Sequence, residues 1–248
     1  MIILHDIHKS FGIQKVLDGF SLDIPTGRIT AIIGPSGEGK SVLLKHIIGL
    51  LQPDSGMIKV DGESILGLRG SPLNRIREKF GMLFQNAALF DSMTVFENVA
   101  FPLQEKTTLG KAEIRKRVLS VLENVGLKNV EHKFPDELSG GMKKRVGLAR
   151  AVVLSPKIIL FDEPTTGLDP ISTRTIHNLI RETHAKFGFT AVIVSHEIPE
   201  IFDIAHNVAM LFRGRILQQG TPDEIMNSTH PAVKQFINGS LDGPIHMM

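Results

Sequence analysis

The sequence predicts an α/β fold with a parallel β-sheet core, an N-terminal antiparallel β subdomain and an inserted α-helical subdomain. Short apolar runs rich in β-branched residues alternate with helical segments, which is typical of buried parallel strands. These runs lie at residues 28–33, 158–161 and 191–194. Two alternating runs at 3–8 and 20–24 precede them and predict antiparallel strands. Between 87 and 156 the apolar residues recur at helical spacing instead, so this segment is the predicted insertion.

Composition limits the classes of function. The 248 residues suffice for one large or two small domains, and a net charge of +2 without a basic stripe argues against a nucleic-acid partner. The chain has no cysteine, which excludes disulfides and thiol catalysis. It contains no apolar stretch long enough to span a bilayer and no signal-peptide pattern. We therefore expect a cytoplasmic protein that reaches a membrane only through a partner.

The stretch Gly34–Ser41 has the phosphate-loop pattern G-x-x-x-x-G-K-[ST]. Its glycines allow backbone N–H groups to surround phosphates, Lys40 can reach the β- and γ-phosphates, and the Ser41 hydroxyl can bind Mg²⁺. A predicted strand precedes the loop and a predicted helix from Val42 to Leu51 follows it. This order predicts a P-loop NTPase (RecA-like) core with the helix N-terminus directed at the phosphates.

A pair of carboxylates follows the predicted strand 158–161. Asp162 falls at the carboxyl end of that strand, where α/β sheets bind ligands, and Glu163 is the next residue. We expect Asp162 to bind Mg²⁺ through water and Glu163 to orient or deprotonate the attacking water. The alternative is that Asp-Glu-Pro merely begins a turn.

The stretch Glu137–Met142 predicts a second anion site. Ser139 precedes a helical run, where serine is a favoured N-cap, and Gly140 and Gly141 permit close approach of a phosphate to free N–H groups. One chain has no use for two such sites. We therefore expect this stretch to close over a nucleotide bound to a second copy.

With these motifs, nearly the whole chain resembles the ATP-binding cassette (ABC) ATPases. The resemblance implies ATP and Mg²⁺ as cofactors, a homodimer, and one cassette domain over 1–248, with an α/β core at 1–86 and 157–248, a helical subdomain at 87–156 and a tail from about 238. It implies nucleotide binding by Phe11, Gly34, Pro35, Ser36, Gly37, Glu38, Gly39, Lys40, Ser41 and Val42. It implies catalysis by Glu163, His196 and Gln85, and Mg²⁺ binding by Ser41, Gln85 and Asp162. It also implies that Ser139, Gly140, Gly141 and Asp169 act in trans, on the nucleotide of the other copy. In this resemblance Phe11 stacks on adenine and His196 contacts the γ-phosphate.

Two residues depart from the pattern of the family. Met142 stands where the family usually has glutamine, so a polar contribution is missing. Glu38 would repel phosphates if it faced them, so we expect its carboxylate to point outward.

A narrower resemblance is to the ATPase subunits of Mla/Mce-type lipid transport systems in the bacterial envelope. It is carried by residues 84–91, 95–102, 138–142, 195–200 and 235–244. It implies phospholipid transport, membrane permease partners docked near 85–102, a periplasmic Mce-type lipid-binding subunit, a small cytoplasmic accessory subunit, and a location on the cytoplasmic side of the inner membrane. The tail could contact the second copy or the accessory subunit, or it could be a frayed terminus.

Three alternatives stay open at this point. The chain could be the ATPase of another ABC transporter for amino acids or other small solutes, a soluble non-transport ABC ATPase, or a nucleotide-dependent regulator with weak turnover. The single cassette argues against translation-type members, and Glu163 and His196 argue against weak turnover.

Overall fold

The computed structural model describes residues 1–245 and divides into two compact units. The first unit comprises Met1–Arg77 and the chain from Thr190 onward, and the second comprises Glu78–Phe189. The last residues of the predicted tail, 246–248, lie outside the described part of the chain. The predicted helical segment 87–156 falls within the second unit, which also contains two strands and a further helix.

The first unit contains the predicted antiparallel subdomain as a sheet of four strands in the order β2–β1–β4–β5. The strands are β1 (Ile2–Phe11), β2 (Gln14–Ile24), β4 (Ser55–Val60) and β5 (Glu63–Ser64). Their alternation is visible in β1 and β2, where Ile2 pairs with Ile24 and Ile7 with Phe20, all four buried. Because one face of these strands is apolar, the register places that face in the core.

The first unit also contains the strands that precede the phosphate loop and His196. The strands run in the order β10–β9–β3–β8. They are β3 (Ile29–Ile33), β8 (Thr190–Val194), β9 (Asn207–Phe212) and β10 (Arg215–Gly220). β3 is parallel to both β8 and β9, and every residue of β3 and β8 is buried. This explains why these strands are continuous apolar runs in the sequence.

The helices of the first unit are short. They are α1 (Lys40–Ile47), α2 (Gly70–Arg77), α7 (Pro222–Met226) and α8 (Pro231–Asn238), with a 3₁₀ turn at Glu200–Asp203. α1 begins two residues earlier than predicted and ends four residues earlier. Gly49 ends it, because its φ of 71° is left-handed and its N–H bonds the His46 carbonyl at 3.0 Å.

The second unit combines two parallel strands with four longer helices. These elements are β6 (Phe80–Leu83), α3 (Val95–Lys106), α4 (Lys111–Asn124), a 3₁₀ turn (Pro135–Glu137), α5 (Gly140–Val152), β7 (Ile158–Asp162) and α6 (Pro170–Phe187). The predicted helix 94–100 continues to Lys106 through Pro102, starting from a capping box of Thr94 and Glu97. α6 starts at Pro170 after the Asp169 cap and ends at Gly188, whose φ is 68°.

Candidate active site

The phosphate loop follows the buried strand β3 and leads into α1. Lys40 is the first residue of α1 and is 4% exposed. Its ammonium group donates hydrogen bonds to the carbonyl oxygens of Gly34 and Pro35, both at 2.8 Å. The loop therefore folds around its own cation, next to the partial positive charge of a helix N-terminus. This arrangement favours phosphate binding.

Two of the three loop glycines are required by the fold itself. A Cβ atom on Gly34 would lie 2.1 Å from the carbonyl oxygen of Leu211, and one on Gly39 would lie 2.5 Å from a methyl group of Val16. Gly37 has open space at the corresponding position. The sequence pattern suggested that all of these glycines make room for phosphate. The structure gives Gly34 and Gly39 an additional reason, which is close contact with neighbouring strands.

The carboxylate of Glu38 accepts a hydrogen bond from the backbone N–H of Arg213 in the β9–β10 turn. This bond fixes the side chain to a neighbouring element of the first unit. The expectation that Glu38 points away from bound phosphates stays a prediction, and the Arg213 contact gives it a physical basis.

Phe11 and His196 also belong to the first unit. Phe11 is the last residue of β1 and is 48% exposed, with the Lys9 ammonium 5.5 Å from its ring centroid. His196 lies just beyond β8, at the strand end where the Ser195 N–H bonds the Ile32 carbonyl of β3 at 3.1 Å. A cavity of about 560 Å³ has Pro35, Ser36 and His196 in its wall.

The same cavity is lined by a C-terminal segment that the sequence analysis left without a structure. Gln235 of α8 is 7% exposed, and its side-chain amide bonds the backbone of Ile245 twice. Its Oε1 accepts from the Ile245 N–H at 2.7 Å and its Nε2 donates to the Ile245 carbonyl at 3.0 Å. Residues 239–241 and Ile245 thereby form part of the cavity wall. The sequence indicated this segment only through the resemblance at residues 235–244, because no sequence pattern marks Gln235 as a buried residue.

The second unit brings Gln85 and the pair of carboxylates to one strand edge. β6 and β7 are parallel, and Leu83 pairs with Phe161. Gln85 and Glu163 each follow these paired residues by two positions, at the carboxyl ends of the strands. Glu163 has a φ of 47°, and its Oε2 accepts a hydrogen bond from the Thr166 hydroxyl at 2.9 Å. The role of Thr166 in orienting this carboxylate was not predicted from the sequence.

The predicted trans-acting residues also come together in the second unit. Ser139 is the N-cap of α5, and its hydroxyl accepts from the Met142 N–H at 3.3 Å. Asp169 is the N-cap of α6, and a hydrogen bond from the Ser172 hydroxyl at 2.6 Å lowers the pKa of its carboxyl. A cavity of about 530 Å³ is lined by Ser139, Gly140, Gly141 and Asp169 among other residues.

Ser41, Gln85 and Asp162 offer only oxygen ligands, which suit Mg²⁺. Within residues 1–245 no three His, Cys, Asp or Glu side chains cluster closely enough to hold a metal on their own. Mg²⁺ normally binds through one or two protein oxygens together with water and substrate phosphates. The donor set therefore fits a metal that arrives with a nucleotide.

These features define a nucleotide-hydrolysing cassette, and residues 17–166 match the ABC transporter family. The chain belongs to this family, and it binds and hydrolyses ATP. The matched residues include the phosphate loop, Gln85, the Ser139–Gly141 stretch and Glu163. No helix in the described residues is both long and apolar enough to cross a membrane.

Curated relatives cover almost the whole chain. The probable ribonucleotide transport ATP-binding protein mkl of Mycobacterium tuberculosis (strain H37Rv) is 46% identical over 246 residues, which are 99% of this chain and 68% of that protein. The intermembrane phospholipid transport system ATP-binding protein MlaF of Escherichia coli (strain K12) is 42% identical over 245 residues, which are 99% of this chain and 91% of that protein.

Solved structures agree with the fold. The cassette MJ0796, a dimer in a post-hydrolysis state bound to ADP and Pi, superimposes with a TM-score of 0.81 at 32% identity, covering 90% of this chain and 99% of that chain. The cbiO1 protein of Clostridium perfringens superimposes with a TM-score of 0.84 at 33% identity, covering 97% of this chain and 95% of that chain.

Proposed function

We propose that this chain is the ATPase subunit of an envelope ABC transporter that moves phospholipids. The observation that carries the proposal is the 42% identity to the phospholipid transport protein of E. coli, because the match spans 99% of this chain and 91% of that protein. The mycobacterial relatives supply a second candidate, since they are named as probable ribonucleotide transport proteins and are 46% identical to this chain. Their length agrees less well, with 68% of that protein covered.

In this proposal, the predicted site residues divide the chemistry of ATP hydrolysis among them. The phosphate loop from Gly34 to Ser41 holds the phosphates with its N–H groups and the Lys40 ammonium, and Phe11 stacks on the adenine. Glu163, oriented by Thr166, holds the attacking water and takes its proton. His196 donates to the γ-phosphate. Ser41, Gln85 and Asp162 would hold Mg²⁺, which would neutralise charge at the phosphates when bound.

A second copy of the chain completes the site. Ser139, Gly140, Gly141 and Asp169 line one cavity, and Gly140 and Gly141 lie at the N-terminus of α5. We expect the N–H groups there to bind the γ-phosphate of a nucleotide held by the other copy, and Asp169 to contact that copy. ATP binding would then close the dimer and hydrolysis would open it. The dimeric MJ0796 cassette supports this arrangement by similarity.

The permease partner docks on a groove in the second unit. This groove, of about 450 Å³, is lined by Phe84, Phe90, Phe101 and Pro102 with Arg150 as its one charged residue. Phe84 and Phe90 are 40% and 42% exposed, which makes the groove a surface for an apolar helix. A permease bound there would place the chain at the cytoplasmic side of the inner membrane. A periplasmic Mce-type subunit and a small cytoplasmic accessory subunit would complete the system, with the tail after Gln235 contacting either the second copy or the accessory subunit.

Replacing Glu163 with glutamine tests the proposed catalytic role. Glutamine can still accept the Thr166 hydrogen bond but cannot take a proton, so we expect turnover to fall by about 10²-fold or more while ATP still binds. The variant should accumulate as a dimer on adding ATP and Mg²⁺, measured by size-exclusion chromatography. Glu182→Gln, an exposed change on α6 in the same unit, is the matched control. Wild-type turnover in E163Q would refute the mechanism.

The cargo is tested with the transport complex purified from its native membranes. We expect a permease and an Mce-type subunit to co-purify, phospholipids to be detected by mass spectrometry, and ATPase activity to rise in phospholipid vesicles. Stimulation by ribonucleotides with no response to phospholipids would favour the second candidate. Recovery of an amino-acid or metal permease would refute the lipid assignment.

A further inference from the structure

One row of residues on α5 faces the end of β6 and the segment that follows it. Lys144, Gly147 and Arg150 are spaced by three residues, and each of them contacts residues between Leu83 and Ala87. Residues spaced by three lie near one another on a helix surface. The helix capped by Ser139 therefore lies against the loop that carries Gln85, within the same unit.

Lys144 holds the backbone of Gln85. It is 6% exposed, and its ammonium group donates a hydrogen bond to the carbonyl oxygen of Gln85. A charged donor makes a stronger hydrogen bond than a neutral one, and burial strengthens it further. The contact fixes the main chain of Gln85 and leaves its side-chain amide, on an exposed residue, available for the nucleotide site.

Arg150 holds the same loop two residues further on. Its guanidinium donates to the carbonyl of Ala87 at 2.6 Å and lies 5.7 Å from the Phe90 ring centroid. The partly buried guanidinium also approaches the Asn98 side-chain oxygen at 3.5 Å. Asn98 in turn bonds both the N–H and the carbonyl of Phe90, at 2.8 Å and 3.1 Å. The loop is thus fastened along its length.

The backbone of this loop needs such fastening. Ala87 and Ala88 have φ values of 59° and 45°, and two consecutive non-glycine residues in the left-handed region are strained unless their surroundings hold them. Gly147 lets α5 approach closely, because a Cβ atom there would lie 2.6 Å from a methyl group of Leu83 and 3.2 Å from the Cβ of Ala87. The close approach brings the two cations within reach of the carbonyls.

We propose that Lys144 and Arg150 are positioning residues that hold Gln85 in place for ATP hydrolysis. They join the loop of residues 85–90, called the glutamine loop below, to the helix capped by Ser139. The inference rests on the proposed role of Gln85. It adds Lys144 and Arg150 as residues that act on Gln85, although Arg150 also lines the proposed permease groove. It predicts that the loop loses its order when either cation is removed.

The test uses the full-length chain for hydrogen exchange and the purified transport complex for turnover. The variants are Arg150→Ala, Lys144→Met and Arg150→Lys, with Lys116→Ala on an exposed site of α4 as the charge-matched control. We expect amide exchange of residues 86–90 to accelerate about tenfold or more in R150A and K144M, which corresponds to the loss of one charge-assisted hydrogen bond. Exchange in α4 should not change.

We expect the rate of ATP hydrolysis to fall when the loop that carries Gln85 is displaced. A displacement of Gln85 by about 1 Å is expected to lower kcat about ten- to a hundredfold, with the KM for ATP unchanged. Arg150→Lys should restore part of kcat and of exchange protection, because lysine can still reach a carbonyl but cannot stack on Phe90 as a planar guanidinium does. A Gln85→Ala variant gives the reference loss for the proposed role of Gln85.

The outcomes separate the two proposals. Unchanged amide exchange at residues 86–90 in both R150A and K144M would overturn the inference. So would faster exchange in these two variants with a normal kcat, if Gln85→Ala has a reduced kcat. Normal turnover in Gln85→Ala would refute its proposed catalytic role and with it the functional part of the inference. Loss of ATPase in E163Q together with the expected exchange pattern supports both.

Discussion

Replacing Gly34 by alanine separates the packing role of the phosphate loop from its binding role. The added Cβ atom would lie 2.1 Å from the Leu211 carbonyl oxygen, whereas ordinary carbon–oxygen contacts are about 3.3 Å or more. The loop or strand β9 must therefore move by about 1 Å. β9 cannot move alone, because it is hydrogen-bonded to β3 on one side and β10 on the other.

The expected cost has two parts. Overpacking against fixed backbone costs about 1–3 kcal/mol. A side chain at the Gly34 φ of 150° adds about 1–3 kcal/mol of backbone strain. The total of about 2–6 kcal/mol is a large share of a typical folding free energy of about 5–15 kcal/mol. Gly37→Ala, with a φ of 83° and open space around the Cβ atom, should cost only about 1–2 kcal/mol.

The measurement is urea unfolding followed by far-UV circular dichroism, without nucleotide, for the wild type and the two variants. We expect a much lower midpoint for Gly34→Ala than for Gly37→Ala. Equal midpoints for the two variants would refute the argument that β9 requires a glycine at position 34, and would return that glycine to a role in phosphate binding alone.

Two further predictions concern the first unit. Phe11→Ala should weaken ATP binding by the free energy of one base-stacking contact, about 1–3 kcal/mol or roughly 5- to 150-fold in affinity. Calorimetry measures the affinity, with Phe11→Tyr as the control. An unchanged affinity would show that Phe11 does not contact the nucleotide. His46 is fully buried, its Nδ1–H donates to the Val42 carbonyl at 2.8 Å, and burial lowers its pKa from 6.5. The unfolded chain then binds the proton more tightly, so stability should fall as pH drops below about 6.5, by up to about 1.4 kcal/mol per pH unit. His46→Gln should reduce the difference between unfolding midpoints at pH 7.5 and pH 5.5, and an unchanged difference would contradict this explanation.

The sequence predicted the fold class because the buried strands carry an unambiguous pattern. β3 and β8 have no exposed residue, so each is a short run of apolar, mostly β-branched side chains next to a glycine-rich or polar turn. The phosphate loop follows β3 directly, and Asp162 and Glu163 stand at the end of the apolar run of β7. Their positions at strand ends could therefore be predicted from local sequence alone.

The contacts that hold the site could not be predicted in this way. Thr166 bonds Glu163 from three residues away, but a threonine in a turn has many other uses. Position 34 needs a glycine because the Leu211 carbonyl lies against it, and Arg150 holds the loop because it donates to the Ala87 carbonyl. Such partners are distant in sequence and depend on which strands and helices meet. Helix ends were also misjudged where glycine geometry decided them, as at Gly49.

The attachment of α5 to the glutamine loop has a mechanical consequence. A helix rises about 1.5 Å per residue, so Ser139 and Arg150 are separated by roughly 16 Å along its axis. Suppose that α5 rotates by about 5° about the hydrogen bond between Arg150 and the Ala87 carbonyl. Ser139 at the N-terminus of the helix then moves by roughly 1.4 Å, and Lys144 moves by roughly 0.8 Å. A small rotation of α5 therefore displaces Ser139 more than it displaces the Lys144 contact with Gln85. Inserting or removing one residue between Ser139 and Lys144 would change that ratio and would also rotate Ser139 by about 100° relative to Lys144 and Arg150.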